Sequence, residues 1–157
     1  MVSTAKVVAI FSIGLIVVLA AYAIYLVSGV PGCAPSPVPS SFTVNGKHYV
    51  FTYVAACEAQ REAGLMNKKV TNATTMLFAF PSKDTWTFWM QDTNTSLDII
   101  WISTTGTRGT VVYMASGTIP ESTTYLTPTA PANFAIEAKA GFAAENGIVN
   151  GTAIQFD

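Results

Sequence analysis

Between Val7 and Val30 the chain runs for 24 residues without a charged side chain, VVAIFSIGLIVVLAAYAIYLVSGV. A helix rises about 1.5 Å per residue, so this run reaches about 36 Å and exceeds the roughly 30 Å hydrocarbon core of a bilayer. A secretory signal has a shorter apolar region of about 7 to 15 residues, which makes an uncleaved anchor the preferred reading. Tyr22 and Tyr25 stand toward one end of the run, where interfacial aromatics belong. Lys6 and the terminal amine supply the nearby positive charge and place residues 1–6 in the cytoplasm. A single-pass anchor is expected over residues 7–30, with the rest of the chain outside the cell membrane.

Features beyond the run agree with that side. Three N-glycosylation sequons begin at Asn72, Asn94 and Asn150, although a chain with 20 Thr and 11 Ser produces some by chance. Residues 31–41, PGCAPSPVPSS, have no apolar period and read as a Pro/Ser linker. Cys33 in that linker admits three readings. Val30-Pro31-Gly32 partly matches the residues before a lipidated cysteine, an oxidising exterior would allow a disulfide with Cys57, and either thiol can remain free.

Composition narrows the chemistry. Eight basic against nine acidic side chains leave a net charge of −1, so no basic footprint for a phosphate backbone exists and nucleic acid is excluded as a partner. One histidine and two distant cysteines make neither a zinc site nor a C-x-x-C redox pair. No metal and no cofactor is implied. The partners expected are the membrane and a glycan or small-molecule ligand.

Residues 42–157 are long enough for one core of their own. Ser41 to Val44, Asn45-Gly46 and Lys47 to Val54 form a hairpin signal, because a type I′ turn needs positive φ at both central residues. Glu58 to Gly64 reads as a short helix closed by glycine. Met76 to Phe80, Thr85 to Met90, Leu97 to Ile102, Thr110 to Met114, Phe134 to Ala138 and Ala153 to Phe156 read as strands, with turns at Thr105-Gly106 and Arg108-Gly109. Gly117 to Pro131 is a long proline-containing loop, and Phe142 to Asn146 a single helical turn before Gly147. The expected class is mainly β, a small α+β domain with a barrel-like sheet and one or two short helices.

No nucleophile motif, P-loop or dinucleotide glycine pattern is present, and the lone His48 sits in the hairpin, so no catalytic residue is named. The unusual stretch is Trp86 to Ile102, which holds all three tryptophans. Asp98 shares a strand face with Ile100 and Ile102, where a carboxylate needs a partner. Either it pairs internally, with Arg61 or with backbone donors, or it faces a ligand. Trp89 and Met90 are core filler or a stacking platform, while Asp92 follows in a turn and Glu137 interrupts an apolar strand. On the functional reading Trp89, Met90, Asp92, Asp98, Tyr125 and Glu137 line one concavity for a glycan or other flat ligand.

At these residues the sequence resembles the DUF192 family, over about Phe42 to Asp157. The matching motifs are Arg61-x-x-Gly64-Leu65-Met66, Met76-Leu77-Phe78-x-Phe80-Pro81, Phe88-Trp89-Met90, Leu97-Asp98-Ile99-Ile100, Tyr125, Glu137, Gly141 and Gly147-Ile148-x-x-Gly151. Gln91, Asp92, Ser96 and Thr75 depart from the residues usual there. The resemblance implies a mainly β, barrel-like domain, often exported behind a signal or anchor, and no established reaction. A binding module is preferred over an enzyme. The alternatives are a hydrolase of cell-envelope glycans using Asp92, Asp98 and Glu137, and a structural surface subunit.

The topology makes its own prediction. Protease added to intact cells should digest residues 42–157 and spare the anchor, and protection of that domain would overturn the assignment.

Overall fold

The computed structural model describes residues 33–157; the expected cytoplasmic segment 1–6 and anchor 7–30 lie outside the described residues. Among the described residues no helix is long and apolar enough to cross a membrane. The elements in order are β1 (Ser41–Val44), β2 (Lys47–Val50), β3 (Tyr53–Ala55), α1 (Glu58–Ala63), β4 (Thr75–Asp84), β5 (Leu97–Thr105), β6 (Arg108–Ala115), β7 (Ala132–Lys139), α2 (Phe142–Glu145) and β8 (Ala153–Phe156). The strands form one sheet in the order β2-β1-β8-β6-β5-β7-β4-β3, antiparallel except for β3 beside β4.

Edge strands β2 and β3 are joined by Phe51 and Thr52 alone. A flat sheet of this many strands would be about 34 Å wide at about 4.8 Å per neighbour, far beyond the reach of two residues. The sheet therefore curls into a half-barrel. The link is bonded on both sides, Phe51 N–H donating to Ser40 O at 3.0 Å and Thr52 N–H to Thr75 O at 2.9 Å. The mainly β class with two short helices stands as expected.

The β1–β2 hairpin forms where the Asn-Gly pair puts it, with Val44 opposite Lys47 and φ of 47° and 79° at Asn45 and Gly46. Gly109 corrects a turn assignment. It lies inside β6, where a Cβ would stand 2.5 Å from Ile102 Cγ2, so glycine is there for close approach, and the tight turn centres on Gly106. Thr85 to Met90 is a second correction, because only a single bridge joins Phe88 to Leu126. Phe88 exchanges both of its backbone bonds with Leu126, and Met90 N–H donates to Ser122 O, so the partner is the irregular 117–131 loop and no ladder can extend.

The central strands β4, β5 and β7 are buried on both faces, and period two sorts their side chains into two cores. One holds Phe42, Leu77, Ile100, Ile102, Ile136, Ile154 and Phe156 and is closed by Phe142 and Ala143 of α2. The other holds Met76, Phe78, Phe80, Phe88, Leu97, Ile99 and Trp101 on the opposite face. Residues 33–40 lie against the domain from Cys33 onward: Ala34 N–H donates to Ala56 O, Ser40 N–H to Asp157 O, and Val38 packs on the first core. Cys33 is disulfide-bonded to Cys57, with S–S 2.08 Å, so neither cysteine carries the lipid or the free thiol weighed above.

Asp98 lies at the start of β5 and is 1% exposed. Of the two internal readings, backbone donors rather than Arg61 satisfy it. Its Oδ1 accepts from Gly117 N–H at 2.9 Å, and its Oδ2 from Gly141 N–H at 3.0 Å and Ala143 N–H at 2.9 Å. One carboxylate thereby fixes the start of the long loop and the first turn of α2 to the sheet. Asn146 secures the other end of α2, its Oδ1 accepting from Tyr49 Oη at 2.6 Å and Lys47 Nζ at 3.0 Å.

Asp98→Ala should destabilise the domain by about 2 to 4 kcal/mol, because three buried donors lose their acceptor. Asp98→Asn should cost less, since its carbonyl oxygen still serves one side. Thermal unfolding of the full chain checks both, and an unchanged midpoint for Asp98→Ala would refute this role.

Candidate functional site

On the second core's face, α1 leaves a cavity of about 350 Å³ between itself and the sheet. The helix forms for local reasons: Gln60 Oε1 accepts from the N–H groups of Ala56 and Cys57, and Gly64 takes φ 44° at the end. None of its residues is buried, so packing alone does not hold it. Polar and covalent ties do. Cys57 is disulfide-bonded, and Arg61 Nη1 donates to Ala56 O at 2.7 Å and to Ala79 O of β4 at 3.0 Å, with the guanidinium carbon 5.5 Å from the Phe80 ring centre.

Around the cavity α1 contributes Glu58, Arg61 and Glu62; the turn after it adds Leu65 and Met66. β4 supplies Phe78 and Phe80, the 86–93 segment Trp86, Phe88, Trp89 and Thr93, the long loop Tyr125, and β7 Glu137. Trp89 and Tyr125 stack with ring centres 5.8 Å apart and planes 11° from parallel, both exposed enough to meet a ligand. Phe78 meets Phe88 edge to face at 4.8 Å.

Glu137 is the charged group that this apolar setting does not explain. It stands opposite Met76 of β4 and Ile99 of β5, is 4% exposed, and its Oε2 has no hydrogen-bond partner. Burial pushes its carboxyl up to about 8, with the nearby charge of Lys68 pulling the other way. At neutral pH it is therefore largely protonated. Burial also lowers the Arg61 guanidinium from its ordinary value, and Glu58 opposes that change.

The six candidate residues separate in space. Trp89, Tyr125 and Glu137 share the cavity. Met90 is 1% exposed and its sulfur accepts from Thr118 Oγ1, which makes it core. Asp92 is exposed at φ 52° in a turn, its carbonyl accepting from Asn67 N–H, and Asp98 is on the sheet's other face. The expectation that all six line one concavity is corrected accordingly, and the three acids proposed for glycan hydrolysis do not converge. Sequence reasoning missed the α1 wall. The signal available was Glu58 and Glu62 at i, i+4, which puts them on one helix face. His48 is exposed and within 3.4 Å of Thr43 Oγ1 in the hairpin. Asn72, Asn94 and Asn150 are all exposed in turns or loops. Among the described residues no group of three or more His, Cys, Asp or Glu is placed to hold a metal ion.

The family model for DUF192, described as an uncharacterized ACR, matches residues 41–156. A solved structure of a protein of unknown function from Novosphingobium aromaticivorans DSM 12444 is 28% identical, with a TM-score of 0.64, covering 81% of this chain and 93% of that one. Another, a proposed transcription regulator from Sinorhizobium meliloti 1021, is 24% identical with a TM-score of 0.65, covering 74% and 90%, and shares the fold. No curated protein matches the chain.

Glu137 predicts a pH dependence of stability. Its folded carboxyl titrates at about 8 and its unfolded one at 4.5, so its favourable contribution is complete below about 4.5 and lost as pH rises through about 8. Denaturant unfolding of the full chain should lose about 3 to 5 kcal/mol over that window, and Glu137→Gln should remove this component. Identical profiles for wild type and variant would refute it.

Proposed function

The chain belongs to the DUF192 family, and from that premise we propose that it is a membrane-anchored, extracytoplasmic binding module for a small, flat, partly apolar ligand. The observation that carries this reading is the cavity of about 350 Å³, where the stacked Trp89–Tyr125 pair stands with a buried carboxyl that has an unpartnered oxygen. That is the usual composition of a small-molecule site, apolar walls with one or two polar groups to orient the guest. A sugar ring or an aromatic ring fits the stacked pair equally well.

The location rests on three supports. The apolar run over residues 7–30 is long enough to span a bilayer. The Cys33–Cys57 bond belongs to an oxidising compartment. The three sequon asparagines are exposed, as an acceptor on an exported domain must be.

The test is a fluorescence titration of the full chain with N-acetylglucosamine oligomers, phenethylamine, 2-phenylethanol and 3-phenylpropionate. At least one should bind, and Trp89→Ala should weaken it by about tenfold, the worth of a lost aromatic stack of about 1.4 kcal/mol, with the melting temperature little changed. Absence of binding by every probe would overturn the reading.

A further inference from the structure

We propose that this pocket is selective for an organic cation, a small ammonium compound with an aromatic or alkyl body, whose charged head sits against Glu137. The inference rests on the binding reading above and names the ligand class. Its first support is the balance of charge. Glu58, Glu62 and the carboxyl of Glu137, which holds its proton at neutral pH, line the cavity against the guanidinium of Arg61. That guanidinium bridges α1 to β4, bonded to the carbonyls of Ala56 and Ala79 and lying over the Phe80 ring. An anion entering the cavity would meet the carboxylates of Glu58 and Glu62 on the α1 wall.

The walls give the second support. Phe78, Phe88, Trp89 and Tyr125 line the cavity, and an aromatic ring attracts a cation over its face more strongly than a neutral group of the same shape. The third is the unpartnered Oε2 of Glu137, a buried polar atom for which an ammonium N–H is a suitable partner.

The groups facing Glu137 set what binding does to it. α1 brings Glu58, Arg61 and Glu62; the long loop brings Tyr125; β4 and β5 present Met76 and Ile99, which do not titrate. Lys68, beyond α1, is a cation whose field reaches Glu137, and its ammonium donates to Gly64 O at 2.7 Å and lies 5.7 Å from the Tyr53 ring centre. A ligand ammonium at contact distance favours the carboxylate more than Lys68 does from there. On binding, the protonated carboxyl releases its proton to solvent and the ammonium pairs with the carboxylate left behind, so charge and protons balance.

Calorimetry of the full chain tests this with phenethylamine against 2-phenylethanol and 3-phenylpropionate, which keep the ring and replace the ammonium by a hydroxyl or a carboxylate. Phenethylamine should bind about tenfold or more tighter than either, with affinity rising by up to about tenfold per pH unit below about pH 8. Titrations at about pH 6.5 in buffers of different ionisation enthalpy should show about one proton released per phenethylamine bound. Glu137→Gln, which retains the side chain's size, should abolish the preference and the proton release. Equal or tighter binding of the alcohol or the anion, or a Glu137→Gln variant that keeps the preference for phenethylamine, overturns the cation assignment while leaving the binding module intact. Failure of all three compounds and of the sugar oligomers overturns both.

Discussion

Two carboxylates are buried on adjacent strands and point to opposite faces of one sheet, and the character of each face follows from how its acid is treated. In the β5–β7 register Asp98 stands opposite Ala138 and Glu137 opposite Ile99, so the alternation of a pleated sheet sends the two side chains apart. Asp98 meets three backbone N–H groups that position α2 and the long loop. Its face becomes a closed core. Glu137 meets Met76, Ile99 and a cavity, and its face remains open on one side. An ionised carboxylate there would be costly, which is why the group holds its proton to about pH 8. The cavity thus lies on the face where burial was left electrically incomplete.

What covers that face explains why a cavity remains there. α1 buries none of its residues and is secured by a disulfide at its cap and by Arg61 reaching β4. A helix packed in the ordinary way would fill the space beneath it with its own side chains. Held at its ends and flank, it roofs a volume without filling it. The price is that the wall's position depends on a few identifiable bonds.

Much of the architecture was legible in the chain because it depends on local chemistry. Asn45-Gly46 specifies a turn that few other pairs permit, and the β-branched and aromatic runs around Ile100 and Ile136 mark strands. The segment around Trp86, Phe88 and Met90 alternates just as clearly, yet its backbone partners are Ser122 and Leu126 in an irregular loop, and no local signal reports that. Asp98 was readable as a buried acid needing partners, but sequence spacing does not say whether an arginine or three peptide groups will arrive. Glu137 was readable as an oddity within an apolar strand. That it shares a cavity with Glu58 and Glu62 follows only once α1 is laid beside β4.

The place of β8 bears on how such a chain is made. β8 pairs with β1 on one side and β6 on the other, so it joins the first hairpin to the rest of the sheet. Phe42 faces Phe156 across roughly a hundred residues of intervening chain, a separation that raises the entropy of closure and slows folding. During synthesis the hairpin exists long before its neighbour does, with Phe42 and Val44 lacking the strand that covers them. A domain wired in this order closes its sheet late, and until then its apolar strands are surfaces that chaperones would meet unfolded.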